Sequence, residues 1–399
     1  MGDSGSDGYV EAFFTGGDEL NEMGLDADGL TSATPYECIH ARQAETRVLC
    51  PADPGGRLAG VLLRRDDVEY LSKRPKQFVN RTGTGGPLRL PALDYEGEEH
   101  ARHRRLLDPM FGPKAILHWE SEMAATCNDL IDGFINRGEC DFTNEFAFTM
   151  PARMFLRLMG VPIDDVDTFV VSRGGDPADS DARRETNARI YAYIEEAMLE
   201  RAERRGDDLL SRLLDFELEG DKLTHDEVLG MGRLLFLAGL DTVNSALQLF
   251  FAFLATHPDH RHRIANDPGV IPAAVEELLR WSSPVAGLTR QAAVDTQLAG
   301  LRLAAGERVG FSLLGANHDQ TEFLDSGHVD FDRDTNRHFA FGVGGHRCAG
   351  SHFARLELRV ALEQWHRRIP DYTVRPGTEP SYNNGVVRHV DLHLAWNPP

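Results

Sequence analysis

The chain has 399 residues, a formal net charge of −21 and 26% charged residues. A chain of this length can bury roughly three quarters of the surface that its unfolded form exposes, so a large core is possible. The negative charge argues against nucleic acids and anionic membrane surfaces as partners.

The chain divides into a short acidic arm and one large unit. Residues 1–34 are acidic and polar and lack periodicity, which predicts a mobile N-terminal arm. No linker, charge block or internal repeat interrupts residues 35–399, so we predict a single domain there. No secretion signal or membrane-spanning run is predicted, and five cysteines without a disulfide framework are typical of a reducing compartment. The sequence therefore predicts a cytoplasmic protein with no membrane partner.

Helical spacing dominates the centre of the chain. Apolar residues recur every three or four positions and Gly or Pro marks the ends, which predicts helices over 98–111, 114–136, 142–159 and 181–205. Alternating patterns predict strands near 57–63, 299–311 and 381–395. The fold class is therefore predicted to be mainly α with minor β.

The longest predicted helix covers residues 224–256. It begins with a capping box, Thr224 to Glu227, and its centre is apolar on all sides, which is typical of a buried helix. Asp241 and Thr242 are costly inside such a helix unless something compensates them. One structural explanation is a hydrogen bond from the Thr242 hydroxyl to the carbonyl four residues earlier.

A further helix is predicted over residues 271–280, with Pro272 in its first turn. Glu277 and Arg280 are three residues apart and therefore share a face. On an exposed helix such a pair contributes only about 0.2–0.5 kcal/mol, so the pair by itself indicates no role.

The most informative segment is 341–350, with the sequence FGVGGHRCAG. Its glycines permit a tight loop, and an amphipathic helix is predicted from Ser351 onwards. A thiol at a helix N-terminus loses its proton more easily, and thiolate is the form that ligates iron.

A buried structural cysteine is the ordinary alternative for Cys348. A dinucleotide-binding turn is excluded, because Arg347 stands where a third small residue is needed. A zinc site is disfavoured because the other cysteines are scattered, at Cys38, Cys50, Cys127 and Cys140.

This segment resembles the haem-ligand loop of the cytochrome P450 superfamily, the haem-thiolate monooxygenases. More distantly, the chain resembles the branch that includes the camphor hydroxylase. The resemblance implies one large domain that holds haem b between the long distal helix and the cysteine loop. It implies that Cys348 is the axial iron ligand, and that Phe341, His346 and Gly350 fill the other fixed positions of the loop.

Other segments fit the same resemblance. In the long helix, Ala238 and Gly239 would leave room for O₂, while Asp241 and Thr242 would deliver protons to it. On the proximal side, a structural charge network is implied for Glu277, Arg280 and Arg333. The haem propionates would be bound by four basic residues, His100, Arg104, Arg290 and His346. The alternative for His100 and Arg104 is a solvated basic patch.

The resemblance also implies where a substrate would bind. Its contacts would be apolar residues, namely Leu234, Leu237, Ala238, Val285, Leu288, Val386 and Val387. The loop 81–91 would cover the distal pocket. A lipophilic, terpenoid-like molecule is favoured, while steroids, fatty acids and polyketides stay open.

The implied reaction is insertion of one oxygen atom of O₂ into a C–H bond, with electrons from a separate ferredoxin and ferredoxin reductase. A positive patch for the ferredoxin is predicted from Arg102, Arg105, Arg347, Arg355 and Arg359. A peroxide-using haem-thiolate enzyme and a haem-binding sensor or carrier are the alternatives.

For His257, His260 and His262, a metal site competes with a solvated helix connection.

Overall fold

The computed structural model describes residues 34–50, 58–80, 89–163, 180–218, 220–383 and 387–398. Residues 1–33, which make up nearly all of the predicted N-terminal arm, and residues 81–88 of the predicted 81–91 loop lie outside the described residues.

Helices form most of the described chain. In order they are α1 (Pro35–Glu45), α2 (Arg65–Ser72), α3 (Gly97–Met110), α4 (Pro113–Ile116), α5 (Glu120–Phe134), α6 (Thr149–Met159), α7 (Ser180–Glu203), α8 (Leu209–Leu214), α9 (His225–Gly239), α10 (Asp241–Thr256), α11 (Pro258–Asn266), α12 (Ile271–Ser282), α13 (Leu313–Asn317) and α14 (Ser351–Arg368). A π-helical segment, Thr143–Phe148, precedes α6, and short 3₁₀ segments cover Leu117–Trp119, Ile135–Arg137 and Pro268–Val270.

The strands are short and belong to several small sheets. They are β1 (Val48–Leu49), β2 (Val61–Leu62), β3 (Phe78–Val79), β4 (Glu139–Asp141), β5 (Glu217–Leu218), β6 (Asp221–Lys222), β7 (Gly287–Ala292), β8 (Thr296–Leu298), β9 (Leu301–Leu303), β10 (Arg308–Ser312), β11 (Thr373–Val374), β12 (Ser381–Asn383), β13 (His389–Asp391) and β14 (His393–Ala395).

The largest sheet has five strands in the order β1-β2-β10-β7-β3. Its centre is β10, which pairs in parallel with β2 and antiparallel with β7. A three-stranded sheet, β11-β14-β4, and the pairs β12-β13, β5-β6 and β8-β9 complete the described strands. The described chain is therefore mainly α with minor β, as the sequence predicts.

An aromatic cluster joins the centre of α10 to the helix that follows the cysteine loop. Trp365 of α14 is fully buried, and its ring centroid lies 5.1 Å from that of Phe251 in α10. Phe142 and Phe146 pack on the same indole at 5.2 and 5.1 Å. Large aromatic side chains dominate the energetics of a core, so this cluster fixes α14 relative to α10.

Most predicted helices are confirmed, and two are corrected. The segment 114–136 is divided by the 3₁₀ segment Leu117–Trp119 into α4 and α5. The segment 224–256 is not one helix, because α9 ends at Gly239 and α10 begins at Asp241, with Leu240 between them. The predicted segment 142–159 begins as a π-helix, which often occurs at functional sites. The capping box is confirmed, since the Glu227 N–H donates to Thr224 Oγ1 at 3.2 Å.

The stretch His225–Thr256, which includes α9 and α10, is long and apolar enough to cross a membrane by length and composition alone. Of its most apolar window, 71% is buried inside the fold. Core helices of soluble proteins satisfy the same criteria.

Candidate functional site

The cysteine loop is held tightly by its own backbone and by α2. The Cys348 N–H donates to the Phe341 carbonyl at 2.8 Å. Gly344 has a φ of +82°, and a Cβ there would lie 2.3 Å from the Ser72 carbonyl oxygen. Only glycine allows this approach, so the sequence of the loop fixes its distance from α2. Gly350 then caps α14, which begins at Ser351 as predicted.

Cys348 is an exposed residue, although the surrounding protein desolvates its thiol. Desolvation raises its pKa, against the opposing effects of a hydrogen bond from the Gly350 backbone and the charges of Arg104, Arg347 and Arg355. The backbone at the helix N-terminus does lower the pKa of Cys348, as expected, but burial outweighs this contribution and the net pKa is raised. The residue as a whole is exposed, which disfavours the alternative of a packed structural cysteine.

The distal helix is interrupted where the sequence places its polar residues. Across the break at Leu240, the Thr242 hydroxyl donates to the Ala238 carbonyl at 3.0 Å, as the structural explanation predicts. Asp241 and Thr242 are only half-buried. The free-energy cost of burying their polar groups is therefore smaller than the sequence suggested. Ala238 is exposed and therefore borders open space.

Gly239 has a packing role that the sequence did not reveal. A Cβ at this position would lie 2.8 Å from the Phe155 ring of α6. The missing side chain thus admits an aromatic ring from a helix far away in the sequence.

Three of the four predicted basic residues meet in a buried cluster. The ring centroids of His100 and His346 are 4.2 Å apart, and His346 Nε2 lies 3.0 Å from Glu96 Oε2. Arg290 is buried, donates to Asn80 at 3.2 Å and interacts electrostatically with Glu96.

Arg104 approaches this cluster from α3. It donates to the Arg347 carbonyl at 2.7 Å, pairs with Asp108 at 2.7 Å, and its charge acts on His100. Burial lowers the pKa of His100 to about 4, with His346 and Arg104 contributing. Desolvation lowers the pKa of Arg290 to about 10. The alternative of a solvated basic patch is therefore wrong for His100, which is buried on α3.

The donors of this cluster fit an anionic group. His100 Nε2 and His346 Nδ1 are buried and have no hydrogen-bond partner within the described ranges. Where such a nitrogen carries a proton, leaving it buried without a partner is costly, whereas a bond from it to a carboxylate stabilises by about 1.5–3 kcal/mol. Two propionates beside the Cys348 loop match this donor set, so the residues present fit haem.

The predicted charge network is fully paired in the interior. Glu277 accepts from Arg280 Nε at 2.8 Å and Nη2 at 2.7 Å, and from Arg333 Nε at 3.2 Å. Glu277 also accepts from Asn336 at 2.9 Å and from the Asp330 backbone at 3.0 Å. The remaining Arg280 donors bind the carbonyls of Asn317, Ser326 and His328. The three predicted residues do come together.

The residues predicted to meet a substrate are only partly described. Val285 and Val387 face each other in an isolated antiparallel bridge, and Leu234 and Leu288 are half-buried. The Leu237 side chain and all of Val386 lie outside the described residues.

The flanks of the predicted 81–91 loop are tied together by side-chain bonds. The Asn80 amide donates to the Leu93 carbonyl at 2.9 Å, and the Asn80 N–H donates to Glu96 at 2.7 Å. Since Glu96 belongs to the basic cluster, these bonds place both flanks beside it.

Three arginines of the predicted positive patch form ion pairs with acidic residues that the sequence did not reveal. These pairs leave fewer arginines to attract a partner. Arg102 pairs with Asp221 and Glu227, both at 2.7 Å. Similarly, Glu276 pairs with Arg355 at 2.6 Å, and Arg359 pairs with Glu120 and Glu363. Only the capping role of Glu227 was visible in the sequence. The exposed members of the patch are Arg105 and Arg347.

The three histidines between α10 and α11 do not converge on one point. His257 Nδ1 lies 2.8 Å from the Phe253 carbonyl, His260 Nε2 lies 3.1 Å from the Val329 carbonyl, and His262 faces Asp371. These separate partners favour the structural interpretation over a metal site.

Comparisons with known proteins extend this picture. A family model described as Cytochrome P450 matches residues 180–268 and 269–373. The methyl-branched lipid omega-hydroxylase of Mycobacterium tuberculosis is 32% identical over 78% of this chain and 77% of that protein. The mycinamicin IV hydroxylase/epoxidase of Micromonospora griseorubida is 30% identical over 93% and 97%, respectively. The crystal structure of CYP109E1 from Bacillus megaterium in complex with testosterone has a TM-score of 0.82 at 26% identity, covering 91% of this chain and 98% of that one. The likeness therefore concerns the whole fold and not the cysteine loop alone.

Proposed function

This chain belongs to the cytochrome P450 family and is a P450 monooxygenase, and on that premise we propose that it hydroxylates a compact lipophilic molecule with electrons from a separate ferredoxin. We propose further that residues 35–399 form one catalytic domain and that the enzyme works in the cytoplasm. The acidic composition and the five free cysteines support that location.

The family's cofactor is haem, and Cys348 would be its axial ligand in this chain. His100, Arg104, Arg290 and His346 would hold the propionates, because their donors converge beside the cysteine loop. When bound, thiolate-ligated haem supplies the activation of O₂.

The distal residues would manage protons. Thr242 lies at the first turn of α10, beside Asp241, where its hydroxyl donates to the Ala238 carbonyl and its oxygen can accept a further hydrogen bond. Asp241 would exchange protons with water, and Thr242 would orient the proton toward the open space that Ala238 borders. Such positioned transfer contributes about 10²–10⁴-fold in rate.

A terpenoid-like substrate is our preferred class. Leu234, Val285, Leu288 and Val387 offer only aliphatic surface, which suits a compact molecule with few polar groups. The relatives are named for a methyl-branched lipid and for mycinamicin IV, and one solved structure contains testosterone. Those names support a lipophilic substrate and leave its skeleton open.

For electron delivery, we assign the docking of an acidic ferredoxin to Arg105 and Arg347. Both side chains are exposed, and Arg347 directly precedes the predicted iron ligand. Their charge would attract an acidic partner in a protein that is otherwise strongly negative.

The observation that carries this proposal is an exposed cysteine, Cys348, on a loop closed by the bond from the Cys348 N–H to the Phe341 carbonyl. Reduced protein under carbon monoxide should show the red-shifted Soret band of thiolate ligation. Cys348→His should lose that band, whereas Cys50→Ser, which changes an exposed cysteine elsewhere, should keep it. An unchanged band in Cys348→His would refute the ligand assignment.

Activity is tested with a lipophilic compound that shifts the haem spectrum from low to high spin. With ferredoxin, reductase and ¹⁸O₂, the product should carry one labelled oxygen atom. Turnover with hydrogen peroxide but not with ferredoxin would instead indicate the peroxide-using alternative. Ligand binding without any product would indicate a sensor or carrier.

A further inference from the structure

A cavity of about 200 Å³ lies against the C-terminal half of α10. Its walls come from the start of α1, α10, the start of α11, the end of α12, the segment 327–329, β12 and Arg388. None of its lining residues belongs to the cysteine loop, the basic cluster or the predicted substrate contacts. It is therefore a second site, separate from the one assigned to catalysis.

Arg388 is a buried cation at this cavity. Its exposed fraction is only 3%, and its Nη1 donates to the Ser282 carbonyl at 2.5 Å. No carboxylate pairs with it in the part of the chain that the structure describes. Desolvation accordingly lowers its pKa to about 10, with only the Tyr382 hydroxyl opposing. A buried charge without a counter-charge is costly, so an anion at this position would be strongly stabilised.

Aromatic side chains form much of the remaining walls. The Phe253 ring stacks on His257 with centroids 3.9 Å apart and lies 4.9 Å from Trp281. Tyr36 lies 5.9 Å from the same indole, and Tyr382 lines another side. Aromatic rings attract one another beyond the burial of their area, so this lining favours an aromatic ligand.

The volume limits the size of the ligand. Sites for drug-sized molecules occupy about 300–1,000 Å³, which is more than this cavity offers. A single ring with one short substituent fits, whereas a steroid or a macrolide does not.

We propose that this cavity binds a small aromatic carboxylate, with its ring among Phe253, Trp281 and Tyr382 and its carboxylate on the Arg388 guanidinium. This site goes beyond the monooxygenase activity and does not depend on the identity of the substrate.

Benzoate is the probe, used with the ferric holoenzyme. Saturating imidazole occupies the iron, so that binding of benzoate at the haem does not contribute to the signal. Isothermal titration should then give one benzoate per chain. Benzyl alcohol, which has the ring without the charge, should bind at least tenfold more weakly, because it lacks the charge-assisted bond to Arg388. Absence of benzoate binding, or equal affinity for the alcohol, would overturn the proposal.

Two variants locate the binding. Arg388→Gln should weaken benzoate at least tenfold while leaving the alcohol unchanged. Because this variant changes a buried residue, Thr256→Phe provides an independent test: Thr256 is exposed and lines the cavity, so a phenyl ring there should obstruct its entrance. Thr373→Phe, an exposed threonine outside the lining, is the control and should bind benzoate as the parent does. Undiminished binding in Thr256→Phe would refute this location even if Arg388→Gln fails to fold.

Discussion

The Thr242 hydroxyl bonds to the Ala238 carbonyl across the break between α9 and α10. The bond fixes the side-chain rotamer of Thr242 and still leaves its oxygen lone pairs able to accept. A structural bond and a role in proton transfer are therefore compatible in this one side chain.

Thr242→Ala should separate oxygen consumption from product formation. The variant removes the hydroxyl that orients the proton, so hydrogen peroxide should leave before the O–O bond breaks. Product per O₂ consumed should fall roughly tenfold, a modest part of the about 10²–10⁴-fold that positioned proton transfer contributes. The ratio is measured with a substrate found by the spin-state screen.

Two further variants distinguish the role of the Thr242 hydroxyl from that of the Asp241 carboxylate. Thr242→Ser keeps a hydroxyl that can make the same bond and should retain most of the parent ratio. Asp241→Asn should slow the whole cycle without lowering product per O₂ to the same degree, because it impairs the proton source. A parent-like ratio in Thr242→Ala would show that water or another group carries the protons.

Glu277→Gln should destabilise the fold. Glu277 is 1% exposed and Arg280 is fully buried, so the variant leaves the guanidinium without its counter-charge. Breaking one partner of a buried pair costs about 3–5 kcal/mol. Urea unfolding should show this loss as a lower midpoint with an unchanged slope.

Glu45→Gln is the matched control for that experiment. Glu45 pairs with Arg42 at 3.6 Å on the exposed surface of α1, where such pairs contribute about 0–1 kcal/mol. If both variants lost equal stability, the Glu277 network would not have the structural role assigned to it.

The buried His318 should make stability depend on pH. Desolvation lowers its pKa to about 3, with a further contribution from Arg280, against an ordinary value of 6.5. Below about pH 6.5 the unfolded chain takes up a proton that the folded chain does not, so stability falls as the pH falls toward 3. Between pH 7 and pH 5 this residue should account for about 2 kcal/mol.

Replacement isolates that contribution from the carboxylates that also titrate. His318→Gln can still donate to the Trp281 carbonyl, which His318 Nε2 approaches at 2.8 Å. The variant should lose about 2 kcal/mol less than the parent between pH 7 and pH 5. Parallel curves for parent and His318→Gln would contradict the assignment.

Arg105→Glu should slow reduction by an acidic ferredoxin. Reversing one exposed charge should reduce the association rate several-fold at low salt, because steering can raise such rates by about 10²-fold or more. The effect should fade as salt shortens the screening length to roughly 8 Å at physiological ionic strength. Stopped-flow reduction across a salt series measures it.

Arg302→Glu, at another exposed arginine on β9, controls for the change in net charge. Equal slowing in both variants would mean that overall charge, and not a docking surface at Arg105, governs the encounter.

Local patterns and distant contacts explain what the sequence did and did not predict. The cysteine loop and α14 were predicted because glycine positions and helical periodicity are local properties. The break at Leu240 was not predicted, because the apolar helix pattern continues through it even though Gly239, Asp241 and Thr242 are weak helix formers. The constraint at Gly239 comes from Phe155, more than eighty positions earlier, and no local pattern encodes it. The cavity at Arg388 was missed for the same reason, because its lining is spread over the chain.

The bridge between Val285 and Val387 has a consequence for how such an enzyme diverges. The two segments are joined by main-chain pairing, and the Arg388 N–H also donates to the Pro284 carbonyl at 2.8 Å. Backbone bonds do not depend on which side chain a position carries. If these valines face the substrate, larger or more polar residues can replace them and change which substrates the enzyme prefers. The backbone pairing that positions the two segments would stay the same.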